Sequence, residues 1–157
     1  MRIATRVASL GLFSLLSLVI AQAQTAPTRT AAASEQELFL SVNRARASQN
    51  APLLQWNDGL AQAARKHASI MAQHGAAQHG FPGEPALAAR VTQAGVRFSW
   101  LSENVCQGNS YVAIEMQFMK SPNHRANILD PDMNAVGIGV IERNGQLYAV
   151  EDFSKVK

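Results

Sequence analysis

Cysteine is nearly absent: one stands in 157 residues, with aromatic side chains at 6% and charged ones at 16%. A single thiol cannot close an internal disulfide, so packing alone must hold the fold. The hydrophobic share is 47%, too much for a disordered chain and too little for a multi-span membrane protein. An excess of one charge sign is also missing where it would matter. The formal charge is +3, but Arg2, Arg6 and Arg29 all precede Ser34, and from Ser34 onward eleven basic residues balance eleven acidic ones. A neutral domain without a Lys/Arg cluster lacks the electrostatic footprint of nucleic-acid or anionic-membrane binding. Local signatures of chemistry are absent too. There is no P-loop, no glycine-rich dinucleotide fingerprint, no G-x-S-x-G elbow and no H-E-x-x-H pair.

Only one long hydrophobic run is present, and it is short for a membrane span. Arg2 and Arg6 precede Val7 to Ala21, fifteen uncharged and mostly apolar residues. As a helix this run covers about 22 Å at about 1.5 Å per residue, less than the ~30 Å hydrocarbon core of a bilayer. Ala21-Gln22-Ala23 follows as an A-x-A cleavage site. Residues 1–23 therefore read as a signal peptide, with an uncleaved anchor as the alternative, and the protein is expected to be secreted or periplasmic without a stable membrane anchor. Residues 24–33 (QTAPTRTAAA) read as a linker without apolar periodicity. The remaining domain is residues 34–157.

Ser34-x-x-Glu37 reads as a capping box opening a helix to about Ser48, with Leu38, Val42 and Ala45 on one face. A second helix starts near Asn57-Asp58 and stops at Gly75, with the stripe Leu60, Ala64, His67, Met71, His74. Pro85 suits the first turn of a third, closed by Gly95. Ser110 caps a fourth, with Val112, Met116 and Met119 on one face and Ile114 and Phe118 beside it. The period then changes. Val136, Ile138 and Val140 alternate with small residues, Asn144-Gly145 signals a hairpin, and Tyr148 to Phe153 returns as its partner strand. The Val96–Val105 region adds another strand. Helices first and strands last argue for an α+β fold with antiparallel strands between helical layers.

Four histidines are available for chemistry. His67 sits mid-stripe and reads as a hydrogen-bonded core residue, and His74 as a solvated helix end. His79 (AAQHGFPGE) and His124 (SPNHRANIL) occupy loop-like settings, where sites concentrate. Glu103, in SENV, is the only carboxylate between Glu84 and Glu115. Two histidines and a carboxylate can hold a divalent metal with open positions. Spacing alone makes that a weak signal, since 24 and 21 residues separate the three. Ser121, three residues before His124, is a pairing that chance often produces. Cys106 could be a nucleophile or a cross-link, but in an apolar strand beside Val105 it reads as a small buried hydrophobe.

The ordered segments LFLSVNRARASQNAPLLQWNDGLAQAARKHASIMAQHG, QHGF, SENV, SPNHRANIL, AVGIGV and YAVEDF resemble the CAP superfamily (SCP domain) in its compact bacterial form. This is the family of cysteine-rich secretory proteins, antigen five and pathogenesis-related proteins. The resemblance runs from about Glu37 to Phe153 and implies an α-β-α sandwich with a central antiparallel sheet. It also implies a central cleft with a His-Glu-Glu-His tetrad, in which His79 matches the first histidine, Glu103 the first glutamate and His124 the last histidine. The second glutamate falls about where Ser121 stands, and Glu115 lies too far back in its helix to replace it. Within the resemblance, Arg125, Asn127 and Ile128 fix the His124 segment, Trp56 anchors the second helix, and Tyr148 and Phe153 fill the layers.

The resemblance leaves three functions open. The first is a non-enzymatic extracellular binding module whose cleft holds a divalent metal on His79 and His124, Zn²⁺ first by ligand type, and a small, lipid or sterol ligand. The second is a metal-dependent hydrolase in which Glu103 activates metal-bound water. The third is a protein-binding effector acting on an envelope or host protein. The missing second acid and the lack of a nucleophile rank the binding module first, with no catalytic residue assigned.

Overall fold

The structure is a computed structural model that describes residues 27–157, so the expected leader falls outside the described residues. Helix α1 spans Pro27–Ser48 and begins seven residues before the expected cap. Ser34 is therefore not an N-cap but a buried residue inside the helix. Proline suits a first helical turn, and Ala31 to Ala33 favour helix over linker. Burial explains the rest: the Glu35 carboxylate accepts from Val140 N at 3.1 Å and pairs with Arg65 at 2.6 Å, tying α1 to the sheet.

Strand β1 (Gln55–Trp56) leads into α2 (Asp58–His74). Asn57 caps α2 by accepting from Leu60 N at 3.0 Å, and Gly75 ends it in the left-handed region at φ 68°, both as its sequence indicates. Trp56 donates from Nε1 to Asp58 Oδ1 at 2.9 Å and meets Phe39 edge-on, so it ties β1 to both helices. Next come α3 (Leu87–Gln93), β2 (Phe98–Gly108), α4 (Tyr111–Lys120), α5 (Pro122–Leu129), β3 (Ala135–Arg143) and β4 (Gln146–Val156). SPNHRANIL is thus a helix rather than a loop. Ser121 closes α4 and caps α5, with Pro122 in the first turn. Asn144 and Gly145 turn the β3–β4 hairpin at φ 54° and 75°, the positive values such a two-residue turn requires.

The sheet order is β1-β3-β4-β2, antiparallel except where two-residue β1 pairs parallel with β3. One face carries α2 and α3, the other α1, α4 and α5, giving an α-β-α sandwich. Alternation along β3 sets the two layers. Val136, Ile138 and Val140 enter the α1/α4/α5 layer, while Gly137 and Gly139 face α2. A Cβ on Gly137 would lie 2.0 Å from Ala61 N, and one on Gly139 2.2 Å from Arg65 N; glycine is what lets α2 rest on the strand. In α4 the layer takes Ile114 and Phe118, leaving Val112 and Met116 exposed, so the three-residue face read from Val112, Met116 and Met119 is not the inner one. Among the described residues no helix is long and apolar enough to cross a membrane.

Candidate functional site

β2 is an edge strand, and the three expected site residues gather along it. Glu103, on β2, turns into the α2 layer, where its side chain is almost sealed from solvent. Its Oε1 accepts from His79 Nδ1 at 2.9 Å and its Oε2 from the Arg90 guanidinium of α3. Arg90 also donates to Pro85 O at 3.2 Å and stands 3.6 Å from Glu84 Oε1.

The segment between α2 and α3 carries His79 and is pinned by His67. That ring, fully buried in α2, sits 2.6 Å from Glu84 Oε1 on one side and 2.8 Å from Gln78 O on the other. Both neighbours are acceptors in form, so each contact needs a proton between its two heavy atoms. Glu84 Oε2 further accepts from Phe81 N at 3.2 Å, and Phe81 stacks on the His74 ring at 4.3 Å. His67 is therefore the satisfied core histidine that its helical stripe indicates, and Glu84 is the clasp that sequence reading missed.

His79 is the exposed member, its side chain 62% accessible. With Nδ1 donating to Glu103, Nε2 faces outward with a lone pair. The Glu103 hydrogen bond raises the imidazole above its ordinary value, against the opposing effects of burial and of Arg90. His124 comes from the first turn of α5, half-buried and edge-on to Phe118 at 5.2 Å. Burial, then the charge of His79, lowers it. The two rings thus stand close enough to influence one another but are tuned in opposite directions. No side chain among the described residues hydrogen-bonds the His124 ring.

Asn104 sets the position of His124. Its amide nitrogen donates to His124 O at 3.1 Å and to Glu151 Oε2 at 3.0 Å, while its oxygen accepts from Asn127 Nδ2 at 2.9 Å. Asn127 and buried Ile128 hold α5 as the resemblance implies; Arg125 is exposed and does not. Ser121, at the position of the family's second acid, accepts from His124 N at 3.5 Å as a helix cap. Glu115 lies in the opposite layer, facing Glu151. An acid absent from the sequence reading stands behind Glu103 instead. Asp152 is its cross-strand partner on β4, fully buried, its carboxyl set against that of Glu103. Burial, then the neighbouring Glu103 carboxylate, pushes it well above the ordinary carboxyl range. Cys106 is buried, and burial pushes its thiol up to about 11, which keeps it protonated and unreactive.

Among the described residues, no three His, Cys, Asp or Glu side chains are arranged to hold a metal ion. The donor set fits at most an open two-imidazole site, with Glu103 behind His79 as the carboxylate that orients a ligating ring.

An α-β-α sandwich with two histidines and a buried glutamate gathered along an edge strand defines the class. Residues 40–153 match the sequence model of the CAP family, described as the Cysteine-rich secretory protein family, and the chain belongs to that family. An extracellular SCP-domain protein of Bacillus anthracis shares the fold at TM-score 0.76 and 24% identity, over 83% of this chain and 44% of its own. An outer surface protein of Borrelia burgdorferi aligns at TM-score 0.73 and 18% identity, over 80% and 94%. A cysteine-rich secretory protein of Staphylococcus aureus aligns at 0.66 and 20%, over 82% and 41%. The chain thus spans less than half the length of the Bacillus and Staphylococcus proteins. No curated protein sequence gives a significant match.

Proposed function

We propose that the protein is an exported, non-enzymatic binding domain. Its cleft presents His79 Nε2 and His124 to a divalent cation, Zn²⁺ by ligand type, and takes a small or lipid ligand. The observation that carries this reading is the engagement of Glu103. One oxygen holds His79 and the other is paired with Arg90, so Glu103 serves to orient His79 rather than to act as a free base. Two imidazoles bind with modest affinity and leave coordination positions open, unlike a closed four-ligand site. Bound metal would supply Lewis-acid attraction for an anionic or carbonyl ligand group. Isothermal calorimetry on the purified protein tests the metal. Zinc should bind wild type at least about tenfold more tightly than His79→Ala or His124→Ala, since each variant removes one of two ligands. Equal affinity in all three proteins would remove the cleft as the site.

The competing hydrolase reading requires a base on water and a second group to protonate the leaving group, together typically worth about 10²–10⁴ in rate. Glu103 is tied, Ser121 is a helix cap, and Asp152 is sealed behind Glu103. Peptide, ester and polysaccharide substrates should therefore show no turnover above background. Turnover that disappears in Glu103→Gln would establish the hydrolase instead.

A further inference from the structure

Strand β2 carries a large aromatic side chain that neither the core nor the histidine site uses. Trp100 is 59% exposed, although aromatic rings are among the side chains from which a core gains most by burial. Two features of the fold leave it outside. Between Phe98 and Trp100 the register with β4 shifts by one residue, so Ser99 is a bulge on an edge strand, and bulges re-aim the side chains beside them. Phe98 thus packs in the α2/α3 layer with Leu101, while Trp100 takes the opposite face, that of Asn104. Helix α5 covers that face at Asn104, through His124 O and Asn127, but ends at Leu129. The sheet runs on past the helix, and Trp100 stands on the uncovered part.

Trp100 forms one wall of an open groove of about 390 Å³, whose other walls are Ser99, Asp130, Asp132 and Lys155. Small-ligand sites occupy about 300–1,000 Å³. Lys155 is the cross-strand neighbour of Trp100 and lies 3.5 Å from Asp132 Oδ1, both side chains at least half exposed. Asp130 Oδ1 accepts from Asp132 N at 2.9 Å, which fixes the turn carrying both acids. An indole face fringed by carboxylates and an ammonium matches a sugar ring: the C–H face stacks on the indole, and hydroxyls donate to the aspartates and accept from the lysine. We propose that this groove binds neutral pyranose units of an oligosaccharide. Two acids against one lysine disfavour an anionic sugar. A protein partner fits less well, because aromatic anchors of protein interfaces sit in well-packed, desolvated pockets. The other exposed large hydrophobics, Leu40, Leu53, Val112 and Met116, do not line the groove. Glu103 lies three residues along β2, about 10 Å away at about 3.3 Å per residue, so the groove opens beside the histidine site without sharing a residue with it. The proposal therefore stands independently of any metal there.

Proton–nitrogen NMR of the purified protein in EDTA, which takes metal out of the comparison, tests the groove. The chain has two tryptophans, and Trp56, whose indole N–H is held by Asp58, is the internal control. The indole signal lost in Trp100→Phe assigns the pair. Titration with cellotetraose or chitotetraose should move the Trp100 signal saturably and leave that of Trp56 in place. By calorimetry, Trp100→Ala should bind the same sugar at least about tenfold more weakly, as loss of a stacked ring predicts, while Trp100→Phe keeps a ring and loses less. Tetragalacturonate should bind more weakly than either neutral sugar. The absence of a saturable shift with both neutral tetrasaccharides at millimolar concentration would overturn the proposal, as would equal affinity in wild type and Trp100→Ala. Tighter binding of tetragalacturonate would overturn the assignment to a neutral sugar.

Discussion

Arg46 is the largest side chain that the described residues bury completely. It forms no ion pair with a carboxylate; its guanidinium donates to four backbone carbonyls: Pro52 at 2.6 Å, Ile128 at 2.8 Å, Asp130 at 2.9 Å and Met133 at 3.3 Å. Ile128 and Asp130 stand at the end of α5, where a helix leaves its last carbonyls without partners. Arg46 thus joins α1 to the far end of the helix that carries His124. Four residues after Val42, position 46 continues the inner face of Leu38 and Val42, unlike exposed Arg44; only the arrival of distant carbonyls accounts for an arginine there. Arg46→Met keeps the length and removes the donors. Each buried acceptor left unmet costs about 1–3 kcal/mol, so urea unfolding should show a loss of at least about 3 kcal/mol. A loss below about 1 kcal/mol would mean that water replaces the guanidinium without penalty.

At the scale of elements, the sequence is legible wherever a local signal and tertiary packing agree. Helix α2 has both: an Asn57 cap, a Gly75 stop, and a stripe through Leu60, Ala64, His67 and Met71 that the sheet buries. The β3–β4 hairpin has both as well, through Asn144-Gly145 and the alternation of Val136, Ile138 and Val140. Where the two disagree, packing wins. Ser34-x-x-Glu37 has the form of a helix start, yet α1 continues upstream because Glu35 finds Arg65 and Val140 N. In α4, apolar residues surround the helix, so periodicity cannot choose a face and the position of α1 does. Helix α5 carried its own cap, Ser121 followed by Pro122, but that serine also ends α4, and a shared boundary residue hides the second helix. The site shows the same division. Motif resemblance brought out His79, Glu103 and His124, while Glu84, Arg90 and Asp152 become visible only once α3, the preceding loop and β4 converge on one carboxylate. For Asp152 one signal was available, since alternation in Tyr148 to Phe153 puts it on the same face as Tyr148 and Val150.

For the molecule as a whole, consecutive residues of β4 carry an acid into each of its two layers, Glu151 toward α1 and α4 and Asp152 toward α2. Both layers therefore titrate with folding, and in the same sense. Glu151 rises from 4.5 to about 8, chiefly through burial, and Asp152 rises well above 3.8 for the same reason. An acid whose folded pKa exceeds its unfolded one holds more protons in the native state, so stability falls as pH climbs from the lower value to the higher. His79, also raised, adds to this trend: its contribution is complete below about 6.5 and lost above. His124, lowered, opposes it, because its contribution is lost as pH falls. The two acids span the wider range, so stability should decline from pH 6 to pH 9. Glu151→Gln removes one of them. At about 1.4 kcal/mol per pKa unit, the gap between wild type and this variant should shift by about 2–3 kcal/mol over that interval, in the variant's favour. Chemical denaturation at three or four pH values measures it. A gap that stays constant from pH 6 to pH 9 would mean that Glu151 ionises in the folded protein where it does in the unfolded chain.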